Sequence, residues 1–192
     1  MLQLKDKKIW LASKSPRRQQ LLKGLGIDFE IAEKDIDESF PSSLKAQEIP
    51  LYLAKEKSDA FNHLLNENAI VITSDTIVWL EDKVLNKPEN EAEAKEMLKS
   101  LSGKMHKVYT AVCITTSTKS NLFYDEASVY FKNLSEDEIN FYVKEFKPLD
   151  KAGAYGVQEW IGYIAIEKIE RSFYTIMGFP VKKVYEVLST LE

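Results

Sequence analysis

Cysteine is nearly absent from this 192-residue chain. A single one, Cys113, excludes an internal disulfide framework and any cysteine-rich zinc site. Its setting in the apolar run Val112-Cys113-Ile114 reads as a small buried hydrophobe and not as a nucleophile. Histidine is nearly as scarce. His63 lies in the polar end of a helical stretch, and His106 stands at a strand entrance, where it can line a site but makes no metal centre alone. Glycine numbers only seven, and no Walker pattern occurs, which disfavours a P-loop nucleotidase. No segment approaches the length of a membrane span. Residues 1–8 carry no apolar stretch of the kind a signal peptide needs, so the expectation is a cytoplasmic protein without membrane contact. A basic excess is missing too: the formal charge is -4, which argues against general binding to nucleic acid. Any anion this chain holds must be held by a local cluster.

What is present is an ordinary globular composition, 44% hydrophobic and 29% charged, without an internal repeat or a linker-like stretch. A single domain over residues 1–192 is expected. Ile9-Trp10-Leu11-Ala12 reads as a buried strand. Ser15 then offers an N-cap and Pro16 a first helical position, with Leu21, Leu22 and Leu25 on one face and Gly24 and Gly26 closing the helix. A short strand at Phe29-Glu30-Ile31 and a helix over about 50–65 follow. Residues 69–80 form the strongest strand signal, and Glu81-Asp82-Lys83 can turn it back. Asn90 caps a helix stopped by Gly103, and strands are predicted over 107–116 and 122–131. Ser135 and Glu138 form a capping box, residues 163–169 read as a last strand, and Pro180 opens a C-terminal helix. The early alternation and the central hairpin-like pairs predict a three-layer α/β domain on a mixed sheet.

Some residues do not behave like structure. Ser13-Lys14-Ser15-Pro16-Arg17-Arg18 joins a strand to a helix N-terminus, where unpaired N–H groups attract anions. Cations oppose the dipole there, so Lys14, Arg17 and Arg18 make sense against a polyanion, arginine forks matching phosphate oxygens. A solvated basic face on a capped helix is the plainer alternative. Asp75 interrupts an otherwise apolar strand, and a carboxylate in that setting normally needs a cation, a metal or a donor network. Lys57 shares a helix face with Leu53, Ala60 and Leu64, from which it either snorkels outward or points into a cleft. Lys87, before Pro88, is a weaker cation of the same kind, and Asp37-Glu38 is an acidic pair able to help hold a divalent cation. Together, cations and oddly placed carboxylates without a cysteine or histidine nucleophile point to metal-assisted phosphoryl chemistry.

The residues from Leu11 to Leu22, then Asp37-Glu38, Leu53-Ala54 with Lys57, Ser74-Asp75-Thr76-Ile77-Val78 and Lys87-Pro88, follow one another in a distinctive order. Gly103, His106, Val108 and Thr110 continue it, followed by the stretch from Pro148 to Gln158 and Gly178-Phe179-Pro180. This ordered set, covering nearly the whole chain, resembles the Maf family of nucleoside triphosphate pyrophosphatases. The resemblance implies a mixed α/β fold shared with inosine triphosphate pyrophosphatases (the Ham1 type), two lobes around a cleft, and frequent homodimers. It implies hydrolysis of a nucleoside triphosphate to monophosphate and pyrophosphate with a divalent cation, Mg²⁺ or Mn²⁺. By that resemblance Asp75 is the general base and a metal ligand with Glu38. Ser13, Ser15, Arg17, Arg18, Lys57 and Lys87 hold the triphosphate. Asp75-Thr76 and Tyr155-Gly156-Val157-Gln158 resemble the branch acting on dTTP and UTP, with Arg17, Thr76 and Gln158 as specificity residues; the branch acting on 7-methyl-GTP differs at both places. A nucleotide-binding regulator of division or septum formation is the alternative of a different class. The chain departs from the family pattern at Asn86, at Glu159-Trp160, where glycine is common, and over residues 171–175.

Overall fold

The computed structural model describes Leu4 and residues 7–191; most of residues 1–8, on which the reading of a missing signal peptide rests, lies outside the described residues. The strands are β1 (Lys8–Leu11), β2 (Glu30–Ile31), β3 (Ala69–Leu80), β4 (Lys83–Leu85), β5 (Met105–Thr115), β6 (Ser120–Phe131) and β7 (Ile166–Arg171). The helices are α1 (Pro16–Gly24), α2 (Glu48–Asp59), α3 (Glu91–Leu101), α4 (Glu136–Phe146), α5 (Trp160–Ala165), α6 (Phe173–Ile176) and α7 (Val181–Leu188). Strand pairing runs β2-β1-β3-β5-β6-β7, with β4 on β3. β1 is parallel to both β2 and β3, whereas β3–β4 and β6–β7 are antiparallel, so the sheet is mixed as expected. Among the described residues no helix is long and apolar enough to cross a membrane.

The chain divides into two compact units, the first comprising 1–75, 110–125 and 178–192, the second 76–109 and 126–177. In the first unit, α1 and α2 are the crossovers that parallel pairing requires. Its core joins Ile9 and Leu11 of β1, Leu22 of α1, Ile70 and Ile72 of β3, and Phe179, Val184 and Leu188 near the C-terminus. β3 reads as a nearly continuous apolar run because it is buried on both faces. Cys113 is fully buried here, in keeping with its apolar run.

In the second unit, Glu81 and Asp82 both adopt left-handed φ (47° and 62°), making the tight turn that pairs β4 with β3. Asn90 accepts the Glu93 N–H at 3.0 Å at the start of α3. Ser135 and Glu138 form the anticipated capping box on α4. Several boundaries shift by a residue or two from the sequence reading, and two shift further. The helix expected over 50–65 stops at Asp59, continuing only as a 3₁₀ turn at Asn62–Leu64. The strand expected over 163–169 begins at Ile166, because Ile161 and Ala165, four residues apart, both bury completely on α5.

His106 does not line a site: it is 1% exposed, edge-on to Phe131 and Tyr155, with Nε2 2.8 Å from the Tyr155 hydroxyl. Its Nδ1 is buried without a hydrogen-bond partner among the described residues. Burial pushes its pKa from 6.5 down to about 3. An unfolded chain therefore binds the proton that the folded chain refuses between these values. The stability from neutral His106 is complete above about pH 6.5 and is lost as pH falls toward about 3. We expect a slope of about 1.4 kcal/mol per pH unit inside that window. Urea midpoints measured across it should fall less steeply for His106→Asn than for the parent.

Candidate active site

The pleat of β3 organises the first unit's polar residues. Alternate side chains share a face, so Thr73 and Asp75 point one way and Ser74 the other. Thr73 donates to the Ala54 carbonyl of α2 at 2.7 Å, which fixes that helix against the strand. Lys57 lies three residues further along α2, and its Nζ reaches Asp75 Oδ1 at 2.7 Å. The same ammonium reaches Glu38 Oε1 at 2.7 Å, drawing in the loop before α2. Lys57 thus does not snorkel: its side chain is 12% exposed, and that of Asp75 is 9%. Asp75 is the cation-paired carboxylate of a continuous strand. The Asp37 carboxylate accepts instead from the Ser39 N–H and hydroxyl, which hold it below its usual range.

On the other face, Ser74 Oγ donates to the Gly178 carbonyl at 3.2 Å. Arg18 closes this arrangement, donating from Nε to the same carbonyl at 2.9 Å and from Nη1 to the Ser74 carbonyl at 2.8 Å. Burial works against the Arg18 charge and Asp75 supports it. Arg18 therefore ties α1 to the peptide that precedes Asp75, a role its sequence position did not reveal. Gly178 has φ 93°, a conformation that favours glycine, which lets its carbonyl serve both donors.

Ser13 Oγ accepts the Ser15 N–H at 3.2 Å and Arg18 Nη1 at 3.4 Å. Ser15 stands at the cap position of α1, but its hydroxyl makes no capping bond, so the local closure comes from Ser13. Arg17 is half-exposed in the first turn, while Lys14 is held by the exposed Asp35 at 2.7 Å. Ser13, Arg18, Lys57, Glu38 and Asp75 are thereby linked into one polar cluster of the first unit.

Thr76, Lys87 and Gln158 belong to the second unit. Thr76 is half-buried in β3, and Lys87 is exposed in the β4–α3 loop before the buried Pro88. That loop is tied down by the Asn86 carbonyl, which accepts the Gly153 N–H at 3.2 Å. Gln158 lines a cavity of about 530 Å³ with Tyr163, Ile166, Lys168 and Phe173. That size lies within the range of small-molecule sites. Sequence reasoning marked Glu159 only as a departure from the family pattern and did not join it to Tyr142 and Lys151, its partners beside Gln158. The available signal was a glutamate and a lysine at positions that turn out to be largely buried.

Among the described residues no three acidic, histidine or cysteine side chains gather to hold a metal unaided. Glu38 and Asp75, however, bracket one cation position, taken by the Lys57 ammonium. Two carboxylate oxygens suit a hard cation that completes its shell with water and substrate phosphates, the habit of Mg²⁺. Each carboxylate carries a second oxygen besides the one that holds Lys57, so the pair can offer hard oxygen donors to a divalent ion without displacing the ammonium.

Comparison with known proteins gives a consistent result. A family described as Maf-like protein matches residues 8–191. A dTTP/UTP pyrophosphatase of Bacteroides thetaiotaomicron is 52% identical over 184 residues, covering 95% of each chain. One of Flavobacterium johnsoniae is also 52% identical, covering 98% of this chain and 97% of its own. The Ham1 protein of Staphylococcus aureus shares the fold with a TM-score of 0.56 at 16% identity, over 97% of this chain and 100% of its own.

Proposed function

The chain belongs to the Maf family, and from that premise we propose that it hydrolyses nucleoside triphosphates, dTTP and UTP by preference, to the monophosphate and pyrophosphate. The observation that carries the chemistry is Asp75, a strand carboxylate largely removed from water and paired at 2.7 Å with Lys57. In this reading residues 1–192 act as one catalytic domain, working on the nucleotide pool of the cytoplasm.

Asp75 orients a water and takes its proton as the water oxygen attacks the α-phosphorus. The bond from that phosphorus to the bridging oxygen breaks, and pyrophosphate leaves with the electron pair. Lys57 spends two of its ammonium donors on Asp75 and Glu38. The third serves a phosphate oxygen, so the attacking and receiving groups share one rigid anchor. Ser13, Ser15, Arg17, Arg18 and Lys87 complete the hold on the triphosphate. Glu38 and Asp75 would hold Mg²⁺ or Mn²⁺, which when bound neutralises phosphate charge and polarises the phosphoryl group. Fixed charges of this kind supply most of the acceleration in phosphoryl transfer.

Choice of base falls to Arg17, Thr76 and Gln158. An amide and a hydroxyl offer the donors and acceptors that a pyrimidine edge requires. A panel of triphosphates, assayed for pyrophosphate and phosphate release with and without Mg²⁺, tests the whole reading. We expect dTTP and UTP to lead, with pyrophosphate as the inorganic product and turnover lost without the metal. Preference for 7-methyl-GTP, or tight binding without turnover, would refute it. Gln158→Ala should lower the preference for UTP over CTP by about tenfold, the worth of one hydrogen bond to the base.

A further inference from the structure

Gln158 does not sit on an ordinary loop. Residues 156–159 form a turn closed by the Glu159 N–H donating to the Gly156 carbonyl at 3.0 Å, with Gln158 as its third residue. Both ends of this turn converge on one hydroxyl. Tyr142, fully buried on α4, accepts the Gly156 N–H at 3.0 Å and donates to the Glu159 carboxylate. The second oxygen of that carboxylate lies 3.1 Å from Lys151 Nζ, itself 8% exposed. The carboxylate is folded so closely over Gly156 that a Cβ added there would stand 2.6 Å from the Glu159 Cδ. Finally, the Tyr163 hydroxyl donates to the Gln158 carbonyl at 2.9 Å. Backbone on either side of Gln158 is thus pinned, and the Gln158 Oε1 is buried without a hydrogen-bond partner among the described residues.

These contacts hold the backbone and so set where the Gln158 amide stands, and the chemistry of an amide makes that placement consequential. A glutamine offers an acceptor at one corner and donors at the other, and a half-turn exchanges them. Uracil and thymine present a donor at N3 beside an acceptor at O4, whereas cytosine presents the opposite pair. An amide able to turn over satisfies both bases about equally. One held in a single orientation accepts the first and leaves a buried polar group unpaired against the second.

We propose that Glu159, anchored by Tyr142 and Lys151, is a positioning residue for base selection: it fixes the turn that aims the Gln158 amide and so lets that amide tell uracil and thymine from cytosine. This rests on the reading of Gln158 as a reader of the base. Glu159 touches no reacting group, and its effect passes through Gln158. The residue stands where the family pattern commonly has glycine, so this carboxylate is a support that glycine cannot supply.

The test compares kcat and KM for UTP and CTP in the intact protein and in Glu159→Gln, Tyr142→Phe and Gln158→Ala. The carboxylate meets Tyr142 and Lys151 with different oxygens, and glutamine at 159 turns one of those acceptors into an NH₂ donor, while phenylalanine at 142 keeps the ring and removes the shared hydroxyl. Both variants should lower the UTP to CTP ratio of kcat/KM by about tenfold, mostly through a higher KM for UTP. CTP turnover should change by no more than about twofold, which a general loss of structure would not reproduce. Combining Glu159→Gln with Gln158→Ala should lower the ratio no further than Gln158→Ala alone. If Gln158→Ala collapses the ratio while Glu159→Gln and Tyr142→Phe leave it intact, the positioning role is overturned and the Gln158 reading survives. If Gln158→Ala leaves the ratio intact, both fall together.

Discussion

Asp75→Asn is expected to lower kcat for dTTP and UTP by about 10²- to 10⁴-fold, the usual contribution of a positioned general base. Asparagine fills the same space and still accepts from Lys57 through its amide oxygen, but it cannot take a proton from water. The fold should tolerate it, because Lys57 keeps Glu38 at 2.7 Å and is not left without an anion. Nucleotide affinity, measured by calorimetry with and without Mg²⁺, should fall far less than turnover. That separation is what identifies a group acting on the reacting atoms. Turnover near the parent level in Asp75→Asn would sink the assignment of Asp75 as base.

The second large effect belongs to Lys57. Lys57→Met preserves most of the side-chain volume but removes the cation between two carboxylates. Asp75, 6% exposed, is then left as a buried charge without its ammonium. Breaking such a pair from one side typically costs about 3–5 kcal/mol, far more than removing both partners together. For a chain of this length the same change lowers Tm by roughly 6–20 °C. Combining Lys57→Met with Asp75→Asn should restore most of the lost stability while leaving the protein inactive, since no unpaired charge remains buried. Calorimetric melting of the two single variants and the double variant checks this directly. A Lys57→Met protein as stable as the parent would mean that the pair is solvated in solution and that its geometry does not organise the site.

Much of the frame is written in local signals. The capping box at Ser135 and Glu138, the Asn90 cap, and the β-branched run of β3 each depend on neighbours in sequence, and each forms as read. Where a segment is short and apolar, local signals conflict. Tyr163 and Ile164 carry strand-like side chains, but Ile161 and Ala165 gain more by burying together on a helical turn. α6 has four residues and too little pattern to be recognised.

The site divides along the same line. Sequence by itself determined the chemical inventory: a carboxylate inside an apolar strand, a lysine on a helix stripe, an arginine pair beside a helix entrance, and a family order specific enough to identify the relatives. These follow from residue type and local spacing, because desolvation of a charge is costly whatever the fold. Only tertiary structure decided which charges meet. Lys57 joins Asp75 and Glu38, 18 and 19 positions away in the chain. Arg18 reaches Gly178, 160 positions away, and so supports the peptide ahead of Asp75. Tyr142, Lys151 and Glu159 become one support under Gln158. Pairings of this kind depend on strand register and on which helix face meets the sheet, and no local property of the chain encodes either.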